Sequence, residues 1–363
     1  MSARRAFGLF IASAVLFGGT FVGAKAGLPY FPPLTFVAIR FDIGALVLAG
    51  YAAHKLSFEQ LRPRTRGDII AILATGVFVI GLTNALIFIG QQYITSGVAA
   101  IIMSLNPILT PVFAAFALSD EPITRRGIIG IVAGLIGVGL VANPDPSAFV
   151  GTIGLPIIFG AAVVSALGAV VIRWSTPTMS SAARTVWGVP IAAVVTHLLA
   201  VMTGESMAAI SVTPTAVIAL LYVGIGSGAI AYLSYFALID TVGATRANLL
   251  FYLTPVVSAL GGWIILNESI STLTIIGFVV IFGGFLILGG DSITAVITHR
   301  YPQVRTQWTL LRERVLSTVL SLKSWYSLRA IQSRDKQTQT KTQTQSQTQS
   351  QSQSHSHSPS QSD

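Results

Sequence analysis

The chain contains no cysteine, and only 10% of its 363 residues are charged. The first absence excludes a disulfide framework, thiolate metal sites and cysteine nucleophiles. The second excludes a water-soluble globule, which ordinarily has about 25% charged residues. With 52% hydrophobic residues and a mean hydropathy of +0.73, nearly everything would be core and little would be surface. A disordered scaffold is excluded on the same ground. Catalytic signatures are missing as well: there is no HExxH, no GxxxxGK[ST] and no GxSxG. No catalytic residue, metal or cofactor is therefore expected. What remains is a polytopic, all-α membrane protein in the plasma membrane.

What is present is a succession of apolar runs. Ten follow one another: Phe7–Ala26, Leu34–Ala53, Ile69–Gly90, Gly97–Leu118, Gly127–Ala142, Thr152–Ile172, Thr185–Met202, Pro214–Leu238, Ala247–Leu266 and Leu273–Leu288. Each is near the length of about 20 residues that a spanning helix needs. If Arg4 and Arg5 are cytoplasmic, the inner connections hold nine cations: Lys55, Arg62, Arg64, Arg66, Arg125, Arg126, Arg173, Arg184 and Arg246. The outer connections hold none, only Asp145, Glu205 and Glu268. That asymmetry places both termini in the cytoplasm. Reading Arg4–Ala26 as a cleaved twin-arginine leader would leave nine spans and put the two ends on opposite sides, against the charges. The net charge of +9 would suit nucleic acid, but the cations fall between apolar runs, where an anionic lipid surface is the partner.

The two halves repeat. LNPILTPVFAAFALSDEPIT (105–124) lies over LTPVVSALGGWIILNESIST (253–272), matching Pro107 to Pro255 and, after one residue of slippage, Glu121 to Glu268. The repeats cover residues 7–142 and 152–288. Five spans each is an odd number, so the second copy is inserted upside down. Inverted repeats around a midplane site are the architecture of secondary transporters.

Within the spans, Lys25 and Arg40 are the costly residues, at about 2.5–3.5 kcal/mol each on insertion scales. Lys25 is close enough to the outer end to snorkel. Arg40 has further to reach, and Asp42 lies on nearly the opposite face of its helix. Arg40 is therefore expected inside the bundle, paired with a solute anion or with helix-end carbonyls. Pro107, Pro111 and Pro255 interrupt helices in lipid, so their surroundings should be protein or a wet cavity. Asn84, Asn106, Tyr235, Asn248 and Tyr252 supply neutral hydrogen-bonding groups at similar depth and complete a candidate solute site. Glu121 and Glu268 are candidate gates at opposite faces, or helix caps. His197, a lone histidine, reads as a hydrogen-bonded packing residue. No buried acid other than Asp42 offers a coupling site, which leaves protons and sodium both open.

After Asp291 the hydropathy collapses. Val304, Trp308, Leu311, Val315, Val319 and Leu322 recur at helical spacing among arginines, predicting a basic amphipathic helix within 301–333 on the cytoplasmic leaflet. Residues 337–363 form a Gln/Ser/Thr-rich tail that cannot bury a core.

YLSYFALIDTVGATRANLLFYLTPVVSALGGWIILNESISTLTIIGFVVIFGGFLIL (232–288) resembles the last three spans of an EamA-type member of the drug/metabolite transporter superfamily. FGGTFVGAKAGL (17–28) and PPLTFVAIRF (32–41) are similar to the first two helices of that family, with Lys25 and Arg40 on its characteristic cations. Phe17 stands where a Trp is usual. The resemblance implies ten transmembrane helices in two inverted five-helix repeats that move a small organic solute, such as an amino acid or related anion, by alternating access. The competing expectation is a non-transporting sensor or scaffold acting through its basic helix and tail. An intramembrane enzyme lacks the clustered His, Asp and Glu it would need.

Overall fold

The structure, a computed structural model, describes residues 3–117, 125–142, 153–242, 247, 250, 251 and 253–284. Glu121, Asn248, Tyr252 and the segments 301–333 and 337–363 lie outside these residues. No strand occurs among the described residues.

Seven helices are long and apolar enough to cross a membrane: α1 (Ala3–Gly27), α2 (Pro33–Lys55), α3 (Arg66–Gly90), α4 (Ser96–Ala117), α6 (Gly154–Trp174), α7 (Ser181–Met202) and α8 (Pro214–Leu238). Three shorter apolar helices stand at the remaining expected positions: α5 (Arg125–Ala142, apolar over Ile128–Val141), α9 (Thr254–Leu266) and α10 (Thr272–Gly284). Helix starts carry the residues that satisfy free N–H groups. Thr95, Ser180 and Thr213 accept from the backbone three residues on, and Pro33 and Pro214 occupy first turns.

Several expected details change. Span four is not continuous: helix runs over Ser96–Met103, turns at Ser104 and Leu105, and resumes over Asn106–Ala117. Pro107 thus sits in a first turn, where its missing N–H costs nothing, and only Pro111 is inside a helix. Pro255 likewise stands in the first turn of α9. Pro190, inside α7, is a helix-internal proline that the sequence reading passed over.

An offset of 148 residues superposes the repeats, carrying Pro107 to Pro255 and Pro33 to Ser181. It also carries a nine-residue π-helical segment in α3, Ala74–Leu82, onto one in α8, Tyr222–Ile230. Two hydrogen-bonded contacts show that the copies are inverted. Asp68, at the start of α3, accepts from Thr178 and Met179 just before α7, at 2.7 and 3.0 Å. Glu205, just after α7, accepts from Leu34 and Thr35 at the start of α2, at 3.0 and 2.7 Å. The equivalent helices α2 and α7 therefore run antiparallel. Glu205 and Glu268 mark one face, called here the acidic face; Lys55, Arg64 and Arg184 mark the basic one.

α2 packs along α7, the middle of α3 against α7 and the middle of α8 against α2. α1 packs on α8 and α9, α6 on α3 and α4, and α4 on α9. The symmetry extends to single residues. A Cβ at Gly76 would lie 2.6 Å from that of Ile191, and one at Gly224 would lie 3.1 Å from that of Ile43. The same glycine–isoleucine contact thus joins α3 to α7 and α8 to α2. Only a missing side chain allows that approach.

Candidate functional site

Arg40 is a buried cation of the bundle. It is 3% exposed, and its Nη2 donates to Oδ1 of Asn84 on α3 at 3.2 Å. Asn84 in turn donates to the Ile80 carbonyl in the π segment at 2.8 Å. The guanidinium carbon lies 4.7 Å from the Phe41 ring centroid and 5.2 Å from that of Phe88, both cation–π distances. Tyr232 of α8 follows one turn after Gly228, whose Cβ position would lie 3.8 Å from the Arg40 carbonyl oxygen. Nε and Nη1 are buried with no hydrogen-bond partner among the described residues. Of the two partners expected for Arg40, a solute anion or helix-end carbonyls, no carbonyl is paired with it among the described residues. Ser13 Oγ on α1 is similarly buried and unpaired.

Asp42 does not neutralise Arg40. Its carboxylate meets Nε2 of His197 on α7 at 2.8 Å, so the histidine is a hydrogen-bonded residue of the α2–α7 seam, as its isolation implied. Lys25 reaches across to α3 and donates to the Gln91 carbonyl at 2.6 Å rather than extending to head groups. Gln91 is itself buried, donating to the Phe21 carbonyl at 2.9 Å.

Asn106 donates to Ser165 on α6 at 2.6 Å and accepts from Thr110 at 2.9 Å, which ties α4 to α6. Glu268 caps a helix, though not the next one. Its carboxylate accepts from the backbone N–H and hydroxyl of Ser96, at 3.0 and 2.6 Å, at the start of α4 in the other repeat. Ser258 of α9 donates to the Ser96 carbonyl at 2.9 Å and reinforces that junction.

Tyr235 belongs to a cluster of rings on the second repeat and α1. Phe17 stands 5.2 Å from Tyr232, 6.0 Å from Tyr235 and 5.6 Å from Phe251, and Tyr235 stands 5.5 Å from Phe251. The structure thus brings Arg40 and Asn84 together and sets Tyr235 in the rings that lead to Tyr232. It places Lys25 and Glu268 at the acidic face, and Asn106 in the α4–α6 contact. Sequence reasoning missed Asp68, Gln91, Ser165 and Tyr232. Of these only Asp68 carried a local signal, the Thr65-x-x-Asp68 capping box.

The carboxylates form a pattern. Along the α2–α7 seam the repeats are tied at both faces, by Asp68 at the basic one and Glu205 at the acidic one. Along the α4–α9 seam the described tie, Glu268 to Ser96, is at the acidic face. Among the described residues no group of three His, Asp or Glu could hold a metal ion.

Comparison with known proteins agrees with this architecture. The EamA-like transporter family matches residues 4–143 and again 152–290, one match per repeat. The chain is 26% identical over 284 residues to the uncharacterized transporter YvbV of Bacillus subtilis, covering 77% of this chain and 89% of that one. It is 23% identical over 287 residues to an uncharacterized transporter of Archaeoglobus fulgidus, covering 77% and 96%. Protein PecM of Dickeya dadantii is 26% identical over 281 residues, covering 77% and 90%. A crystal structure superposes with a TM-score of 0.52 at 19% identity, covering 79% of this chain and 97% of the other, a likeness of fold. With both repeats matched, this multi-pass membrane protein belongs to the EamA-like transporter family.

Proposed function

We propose that the protein is a secondary carrier in the plasma membrane that moves a small organic solute with an anionic end, an amino acid or related metabolite, by alternating access. One observation carries this reading: Arg40 is buried in the bundle with two of its nitrogens unpaired. A buried cation is retained against its insertion cost when something completes it. Here a carboxylate arriving at Nε and Nη1 would do so, with Asn84 holding the third nitrogen in place. Asn84 positions the guanidinium; Arg40 touches the solute.

The seams supply the movement. The α2–α7 seam is tied at both faces and acts as the pivot. The α4–α9 seam parts at the acidic face when Glu268 releases Ser96, so Glu268 is a gate through its cap on α4. Energy comes from a gradient rather than ATP, because the sequence has no phosphate-binding loop.

The test is solute counterflow in liposomes holding the purified protein, screened over amino acids and related organic anions. Wild type exchanges at least one of them, and Arg40→Gln, with helicity and melting temperature retained, loses about tenfold or more of the rate. A folded Arg40→Gln protein exchanging at the wild-type rate overturns the proposal. Imposing proton and sodium gradients in turn, in each direction, reads the coupling ion and whether the solute is exported.

A further inference from the structure

We infer that the outward side of the α2–α7 seam is the contact surface for a second copy of this chain, and that Asp42 and His197 of the two copies close it in a ring of alternating charges. The inference concerns assembly and does not depend on which solute is carried.

The pair lies deep in the span. Leu34 meets Glu205, and Asp42 meets His197 eight residues further along each helix (34 to 42 and 205 to 197). That spacing puts the pair about 12 Å below the acidic end of the seam. Yet it does not face the interior. The Asp42 side chain is 47% exposed and that of His197 40%. On α2 an exposed stripe runs on from Asp42 through Leu46, Ala49, Gly50 and Ala53, and on α7 His197 stands beside exposed Val194 and Val201. Lys25 and Arg40 direct their charge into the bundle, to the Gln91 carbonyl and to Asn84. Asp42 and His197 present theirs among side chains that face lipid. Ionisable groups are costly at such depth and are ordinarily turned toward protein.

Duplication did not supply the pair. The 148-residue offset carries Asp42 to Pro190 and Ala49 to His197, so the equivalent positions hold neither an acid nor a base. Those positions are filled without a polar group, and packing of the seam therefore does not demand one.

The geometry points to the occupant. Oδ2 of Asp42 is bound to Nε2 of His197, while Oδ1 and Nδ1 have no partner among the described residues. A protonated imidazole carries an N–H on Nδ1, so the surface offers one acceptor and one donor at the same depth. A twofold axis along the membrane normal leaves both copies inserted the same way and sets α2 of one against α7 of the other, with depth unchanged. Asp42 Oδ1 then comes within reach of Nδ1 of the partner's His197, and symmetry makes the reciprocal contact. The four charges alternate and sum to zero. A lipid head group stays at the interface, above the pair. Close approach is also open: a Cβ at Gly50 would meet nothing within 4 Å, and Ala49 and Ala53 beside it are equally small. Held at both faces by Asp68 and Glu205, the seam is a firm surface for a lasting contact.

Full-length protein with one fluorophore on its C-terminal tail is reconstituted sparsely in liposomes and counted by stepwise photobleaching. Wild type is expected to bleach in two steps and to pass to monomers as lipid is added. Asp42→Asn and His197→Gln, shown folded by circular dichroism and thermal melting, shift that midpoint about tenfold or more toward monomer. The exchange Asp42→His/His197→Asp recovers it to within about threefold. The cysteine-free chain allows the face to be read separately. Differently tagged Leu46→Cys and Val194→Cys chains, oxidised in the membranes of the expressing cells, give a mixed disulfide; Leu46→Cys with Ile264→Cys, exposed on α9, gives none. Single-step bleaching of wild type at every density overturns the inference. So does a midpoint unmoved in both folded single variants, or one that the folded exchange variant fails to recover. A dimer joined through Ile264→Cys and not through Leu46→Cys and Val194→Cys overturns the face, and a Leu46→Cys chain joined to a different membrane protein in place of its own kind overturns the second copy as occupant.

Discussion

Asp68 is fully buried, and each of its carboxylate oxygens accepts from two backbone N–H groups. Oδ2 serves Arg64 and Thr65 at 2.9 and 3.0 Å, and Oδ1 serves Thr178 and Met179 at 2.7 and 3.0 Å. An amide there keeps one acceptor and turns two N–H groups toward donors. Asp68→Asn is expected to lower stability by about 3 kcal/mol, the range for breaking a buried charged network. Glu205 does the same work for α2 from a half-buried position, so Glu205→Gln should cost about 1–2 kcal/mol. Thermal unfolding of both variants in detergent checks the order. Equal losses would mean that the two ties are not the unequal counterparts their burial makes them.

At the scale of elements, the π segments give α3 and α8 a common shape and bring Gly76 and Gly224 against opposite repeats. The two contacts differ in room. At Gly76 an added Cβ meets the Ile191 Cβ at 2.6 Å and the Gly188 carbonyl at 2.8 Å; at Gly224 the nearest atoms, all of Ile43, begin at 3.1 Å. Gly76→Ala should therefore destabilise by about 1–3 kcal/mol, the usual cost of overpacking, and Gly224→Ala by less than about 1 kcal/mol. Melting temperatures of the two single variants decide this. A larger loss at Gly224 would show that its side of the bundle is the less able to relax.

For the whole molecule, a pivot where α2 and α3 pack on α7 and an opening at α4–α9 make opposite predictions for crosslinks, and the cysteine-free chain makes both clean. A Cβ at Gly97 on α4 would lie 3.2 Å from that of Ala259 on α9, and one at Gly188 on α7 would lie 3.4 Å from that of Thr75 on α3. Both are near the separation of about 3.8 Å found in disulfides. Oxidised Gly97→Cys/Ala259→Cys protein should lose counterflow of the solute found by screening and regain it on reduction. Oxidised Thr75→Cys/Gly188→Cys protein should keep most of it. The reverse pattern would exchange pivot and gate.

Composition and order of residues alone determined that this chain is helical, lies in a membrane and is built of two copies. Those properties follow from apolar length, from charge between the runs and from a repeated Pro and Glu, all of which are written locally. The cost of Arg40 was legible for the same reason, since a cation in an apolar run is expensive whatever surrounds it. Its neighbours were not. Asn84 and Tyr232 come from other helices, and no local pattern records which face of one helix meets which face of another. Tertiary structure decided that Glu268 caps α4 in the opposite repeat, that Asp42 pairs with His197, and that Pro107 and Pro255 stand in the first turns of helical segments. Each outcome depends on how two inverted copies pack, because the groups that satisfy a buried donor or charge lie far away in sequence and meet only when the copies close together.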